Sequence, residues 1–160
     1  MEYNQFRPAI TPVEKAAGAI GAIFLLVGIL GFIPGITTHY DALSWAGRES
    51  GAALLGIFQV SVLHNLIHLL FGVAGLVMAR HANPARAFLI VGGVIYALML
   101  VYGLLIDRAG SANLVPVNTA DNWLHLFLAA GMIGLGVALG RREAVATAAR
   151  SRSGLPRAAH

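Results

Sequence analysis

The stretch Ser61–Gly75, SVLHNLIHLLFGVAG, sets two histidines and an asparagine inside an otherwise apolar run. A reduced copy follows at Asp121–Met132, DNWLHLFLAAGM: an offset of 57 lays Asn65 on Asn122, His68 on His125 and Leu69 on Leu126. Apolar runs of this length are read as membrane helices, and lipid cannot hydrogen-bond an imidazole or an amide. The polar residues of both copies are therefore expected to face the interior of a helical bundle.

The rest of the chain has the composition this requires. Hydrophobic residues make up 58% of its 160 positions and charged residues only 11%, with a mean hydropathy of +0.74. A crossing takes about 20 helical residues, so the length holds four crossings and little else. The expected fold is an all-α integral membrane domain with four transmembrane helices, arranged as two tandem helical-hairpin repeats.

The segment 1–10 is read as a polar N-terminal piece on the cytoplasmic side, followed by a membrane domain over 11–142. Thr11-Pro12-Val13-Glu14 has the cap, first-position proline and third-position glutamate of a helix start. Helices are expected at about 12–33, 52–79, 84–106 and 119–140. A retained transmembrane helix is expected here and not a signal peptide, because Glu2 and Glu14 precede 18 uncharged positions, where a leader would have basic flanks and a shorter apolar core. The basic tail 143–160 is expected to extend as a short helix and then to be disordered.

Charge placement orients the chain. Arg7, Lys15, Arg80, Arg86, Arg141, Arg142, Arg150, Arg152 and Arg157 fall on one side of the expected helices, and only Arg48 and Arg108 on the other. The positive-inside rule then puts both termini in the cytoplasm and the protein in the plasma membrane. The basic residues flank apolar segments and form no patch interleaved with aromatics, so nucleic acid is not an expected partner. The expected partners are the bilayer, anionic lipid against the C-terminal arginines, and a second copy or another membrane protein. With no cysteine, thiolate chemistry, disulfides and iron–sulfur ligation are excluded.

The repeat extends to the other helices. An offset of 72 pairs Gly21 with Gly93, Phe24 with Tyr96 and Gly31 with Gly103. At 100° per residue, His64, Asn65 and His68 share one face with Gly72 and Gly75, and Asp121, Asn122 and His125 share another with Ala129 and Met132. Tyr96 lies at a depth that suits an approach to His68. The polar core candidates are thus His64, Asn65, His68, Tyr96, Asp121, Asn122 and His125, expected to form a hydrogen-bonded network with His68 facing His125.

Three chemistries fit these residue types. The core can be structural, fixing helix pairing. His68 and His125 can ligate a b-type haem, with glycines making room for the macrocycle. His64, His68, His125 and Asp121 can form a divalent metal site. The spacing His64-Asn65-Leu66-Ile67-His68 repeats that of a zinc-protease motif, but Asn65 replaces the glutamate that would act as general base. No other catalytic arrangement is present at one depth, so the expected role is a non-enzymatic accessory or interaction protein, with the haem or metal binder as the alternative.

At VSVLHNLIHLLFGVAGLVMAR, Val60–Arg80, and NTADNWLHLFLAAGMIGLG, Asn118–Gly136, the sequence resembles an uncharacterised bacterial four-helix membrane family, domain-of-unknown-function family 4383, common in actinobacteria. The resemblance covers about Thr11 to Arg141, and His64, Asn65, His68, Asp121, Asn122 and His125 match its pattern. It implies fold and membrane location and carries no activity, cofactor or partner.

Overall fold

A computed structural model describes residues 10–108, 110 and 113–152. Four α-helices dominate it: α1 (Pro12–Leu30), α2 (Val62–Met78), α3 (Ala82–Leu105) and α4 (Thr119–Arg152). A small antiparallel sheet of three strands, β1 (Thr37–Thr38), β2 (Ala53–Leu54) and β3 (Phe58–Gln59), lies between α1 and α2 in the chain. With the described loop residues 113–118 it forms a cap at one end of the bundle.

Three helices are long and apolar enough to cross a membrane: α1, α3 and the Thr119–Arg142 part of α4. The shorter apolar α2 has 17 residues, about 25 Å at 1.5 Å per residue. Its surface is inverted relative to a water-soluble helix. His64, Asn65, His68, Gly72 and Gly75 are buried, while Leu66, Ile67, Leu70, Val73, Leu76 and Val77 are exposed. Lipid explains that inversion, because only there do polar side chains gain by turning inward.

Several boundaries differ from expectation, each for a local reason. The start of α1 is as expected: the Thr11 hydroxyl accepts from the Glu14 amide and the Glu14 carboxylate accepts from the Thr11 amide at 2.6 Å. Its end comes at Leu30, three residues early. Helix was expected from residue 52, but 52–60 folds as the β2–β3 hairpin, and α2 begins only after Ser61, whose hydroxyl accepts from the His64 amide at 3.1 Å. Left-handed backbone at Leu55 (φ 55°) and Gly56 (φ 71°) breaks any helix there. α3 starts at Ala82, with His81 in the cap position expected for Asn83. Arg141-Arg142 does not stop α4. The short helical extension expected beyond it is there, α4 continuing to Arg152 through a sequence rich in the strong helix formers Ala and Arg. The remainder of the expected tail, 153–160, and residues 1–9 of the N-terminal segment lie outside the described residues.

α1 packs mainly on α2, α3 mainly on α4, and α1 with α3 forms the principal contact between the two pairs. Glycine sets the closeness of each pair. A Cβ on Gly21 would lie 2.8 Å from the Leu76 nitrogen and 3.0 Å from the Gly72 oxygen, so α1 and α2 touch backbone to backbone. Gly93 meets α4 similarly, with the Ile133 nitrogen at 3.0 Å and the Ala129 oxygen at 3.1 Å. Van der Waals contact of this kind is the main attraction open to helices in lipid. The bundle core comprises Val13, Ala17, Phe24, Ala85, Phe88, Leu89, Tyr96, Ala129 and Met132, and the cap has its own core of Ala52, Leu54 and Val60.

Candidate functional site

The inward faces meet in a file of aromatic rings. His64 and His68, one turn apart on α2, stack with centroids 4.5 Å apart and planes 19° apart. His68 stacks on Phe24 of α1 at 5.6 Å. Phe24 stacks on Tyr96 of α3 at 5.3 Å, and Tyr96 contacts His125 of α4 at 5.4 Å. All four helices thus contribute to one buried cluster. Each histidine exposes less than a tenth of its surface.

His64, His68, Tyr96 and His125 are therefore brought together, but not as the sequence suggests. Tyr96 takes His125 as its histidine neighbour, not His68, and Phe24 lies between Tyr96 and His68. His68 and His125 communicate through the Phe24–Tyr96 pair and do not stack on each other. Phe24 is a site residue that polarity could not flag. Its register with Tyr96 at the 72-residue offset was the available signal.

The expected hydrogen-bonded network is absent from the polar atoms nearest the rings. The Nδ1 atoms of His64, His68 and His125, both amide atoms of Asn65 and the Oδ1 of Asn122 are buried without a hydrogen-bond partner. The asparagines serve at the helix crossings. Asn65 presses its amide against Gly31 at the end of α1, where a Cβ would collide with it. Asn122 does the same at Gly103 near the end of α3, and its Nδ2 also donates to the Gly103 oxygen at 3.0 Å.

That difference makes a prediction. Asn122→Leu should destabilise the protein by about 1 kcal/mol, because a hydrogen bond between helices is lost. Asn65→Leu should be neutral or stabilising, since it removes buried polar atoms that have no partner. Unfolding titrations in mixed detergent micelles check both. Equal losses for the two variants would mean that Asn65 has a polar partner after all.

Asp121 is engaged by the backbone at the start of α4 and by the cap. Its Oδ2 accepts from the Asn118 amide at 2.7 Å and from the Gln59 amide of β3 at 3.2 Å, while Asn118 Oδ1 accepts from the Asp121 amide at 3.0 Å. The carboxyl is thus half of a capping box that starts α4 and also holds the cap sheet down. The metal set of His64, His68, His125 and Asp121 is not assembled: among the described residues no three or more His, Asp or Glu side chains are grouped to hold an ion.

The fit to haem can be judged from what surrounds the histidines. The glycines that were to make room are already filled. A Cβ added to Gly28 would meet Leu69 at 2.8 Å, one on Gly72 would meet the Leu25 backbone, and one on Gly92 would meet Met132 and Phe71 at 2.6 and 2.7 Å. The Phe24–Tyr96 stack fills the space between the histidine-bearing helices. The residues present do not form a cradle for a macrocycle.

Buried imidazoles inside helices that turn apolar surfaces outward define a small helical membrane protein with a polar, aromatic core. The chain belongs to the family described as Domain of unknown function (DUF4383), whose model matches residues 14–138. None of the curated proteins and none of the solved structures compared matches it.

Proposed function

We propose that the chain is a non-enzymatic accessory or interaction protein of the plasma membrane, four helices crossing as two tandem hairpin repeats, with both termini cytoplasmic. The observation that carries the repeat is the match of contacts at two offsets at once. Gly21 on Gly72 and Leu76 corresponds to Gly93 on Ala129 and Ile133, Asn65 on Gly31 to Asn122 on Gly103, and Phe24 with His68 to Tyr96 with His125. First-helix residues shift by 72 and second-helix residues by 57 in every pair. Two crossings per unit give both units the same orientation, so the pseudo-twofold axis runs along the membrane normal through the Phe24–Tyr96 stack.

The orientation is supported by charge. Lys15, Arg80, Arg86, Arg141 and Arg142 gather at the bundle end away from the cap, and Arg48 and Arg108 lie at the cap end. The filled glycines and the ring file support a structural core in preference to a cofactor site. One observation favours a ligand, the unpartnered Nδ1 atoms, and the test is chosen to separate the two.

His68→Leu is expected to lower stability in detergent by about 1–2 kcal/mol through loss of its two stacked neighbours, with no change in the absorption spectrum or metal content of the gently purified protein. A Soret band, or bound metal, in the parent that the variant loses would replace the structural reading with the ligand one. A variant as stable as its parent, with no bound group in either, would refute the structural role of His68.

A further inference from the structure

We infer that the Leu55-Gly56-Ile57 tip of the β2–β3 hairpin is seated in the lipid interface on the cap side of the bilayer, where it acts as a wedge anchored to α4. The inference rests on the membrane reading of the helices and adds a lipid-contacting element that is not a helix.

Three observations converge on this short segment. Its two large apolar side chains face outward, Leu55 with 60% and Ile57 with 52% of its surface exposed, and the tip carries no charge. Leu55 does so from a left-handed backbone (φ 55°) that favours glycine or asparagine. A leucine held in that conformation gains nothing from water; inserted among acyl chains it recovers the burial that offsets the backbone cost.

The tip backbone is satisfied at its three amides and at one of its three carbonyls. The amides of Leu55, Gly56 and Ile57 donate to the carbonyls of Ile36 at 2.8 Å, Ala53 at 3.1 Å and Leu54 at 3.0 Å, and the Ile57 carbonyl accepts from Asn118 Nδ2 at 2.7 Å. The Leu55 and Gly56 carbonyls have no protein partner among the described residues, which suits the hydrated headgroup level and excludes the hydrocarbon core, where every backbone group must be paired.

The same Asn118 bond fixes the depth. Asn118 immediately precedes α4, so the tip is held level with the first turn of that helix. Exposed Trp123 follows within the next turn, an indole suited to the interface. Arg108 reaches the same level, its guanidinium donating to the Thr119 hydroxyl at 3.5 Å, which sets the hairpin tip at the depth of the headgroups, and the apolar stretch 52–60 that precedes the short α2 gains a lipid surface to face.

The test uses the full chain in phosphatidylcholine vesicles. In a Trp45→Phe, Trp123→Phe background, Leu55→Trp, Ile57→Trp and, as reference, Phe127→Trp each supply a single fluorophore. Lipids brominated near the headgroup end of the acyl chain should quench both tip variants as strongly as Phe127→Trp, whose parent side chain is exposed on α4, and acrylamide should quench all three weakly. Strong acrylamide and weak bromine quenching at the tip, with Phe127→Trp quenched by bromine, overturns the wedge alone. Failure of Phe127→Trp to be quenched by bromine overturns the membrane reading and the wedge with it. Ile57→Trp keeps the test open should Leu55→Trp fail to fold, since Ile57 has no left-handed backbone to strain.

Discussion

Gly21→Ala should be among the most damaging single-methyl additions available in this chain, costing about 2–3 kcal/mol of stability. The added carbon would sit 2.8 Å from the Leu76 nitrogen, 2.9 Å from the Gly75 carbonyl carbon and 3.0 Å from the Gly72 oxygen. All three are backbone atoms of α2, so no rotamer change can make room and the helices must move apart. Overpacking of this kind costs typically about 1–3 kcal/mol, and the upper end applies where nothing soft is in the way. Separation also loosens the neighbouring contact of Gly72 with Leu25. In the second pair, Gly93→Ala should cost slightly less, about 1–2 kcal/mol, because its backbone obstacles, the Ile133 nitrogen at 3.0 Å and the Ala129 oxygen at 3.1 Å, lie farther off than those around Gly21. Gly134→Ala provides the control. No atom lies within 4 Å of its added Cβ, so relief of glycine's backbone freedom should stabilise the helix by about 0.5–1 kcal/mol. Circular dichroism during unfolding in mixed micelles ranks the three. If Gly21→Ala unfolds with Gly134→Ala, α1 and α2 do not pack at this distance.

The polarity pattern was enough to predict which faces of the helices turn inward. His64, Asn65 and His68 repeat at the helical period among apolar residues, and lipid leaves such residues one direction to face. The Thr11–Glu14 start of α1 was equally readable, since its capping pair is local in sequence. The β2–β3 hairpin was not. AALLGIFQV is a short apolar run that a strand and a helix share, it adjoins an unmistakable helix, and the residue that turns it, Leu55, is a poor advertisement for left-handed backbone. The role of Phe24 was hidden for a different reason. An apolar residue on an apolar helix carries no signal of its own, and only its register with Tyr96 points to a place between two imidazoles. Asp121 carries two readings: on a face shared with His125 it reads as a ligand, and three residues after Asn118 it reads as the first-turn acid of a helix start, which is the role it takes. The Gln59 amide, which completes its set, comes from 62 residues earlier in the chain.

That contact makes Asp121→Ala the second large effect. Asp121 is 2% exposed, and its Oδ2 takes both the Asn118 amide and the Gln59 amide. Removing it leaves two donors without a partner, one at the first turn of α4 and one on β3. Each lost bond to a carboxyl is worth about 1–2 kcal/mol, and a buried donor left unmade adds to the cost, so a total of about 2–4 kcal/mol is expected. The damage should be directional. β3 is held to α4 at Gln59 and at Ile57, the latter through Asn118 Nδ2, and Asn118 itself loses half of its capping box in the variant. The cap should therefore open before the bundle does. Hydrogen exchange reads this directly: the Gln59 and Asn118 amides should lose protection, while amides near Phe24 and Tyr96 in the middle of the helices keep theirs. Asp121→Asn retains an oxygen at the same place and should preserve most of the protection at both amides. If the carboxyl served instead as a metal ligand or a proton relay toward His64, Asp121→Ala would leave both amides protected, and the capping role assigned to it would be wrong.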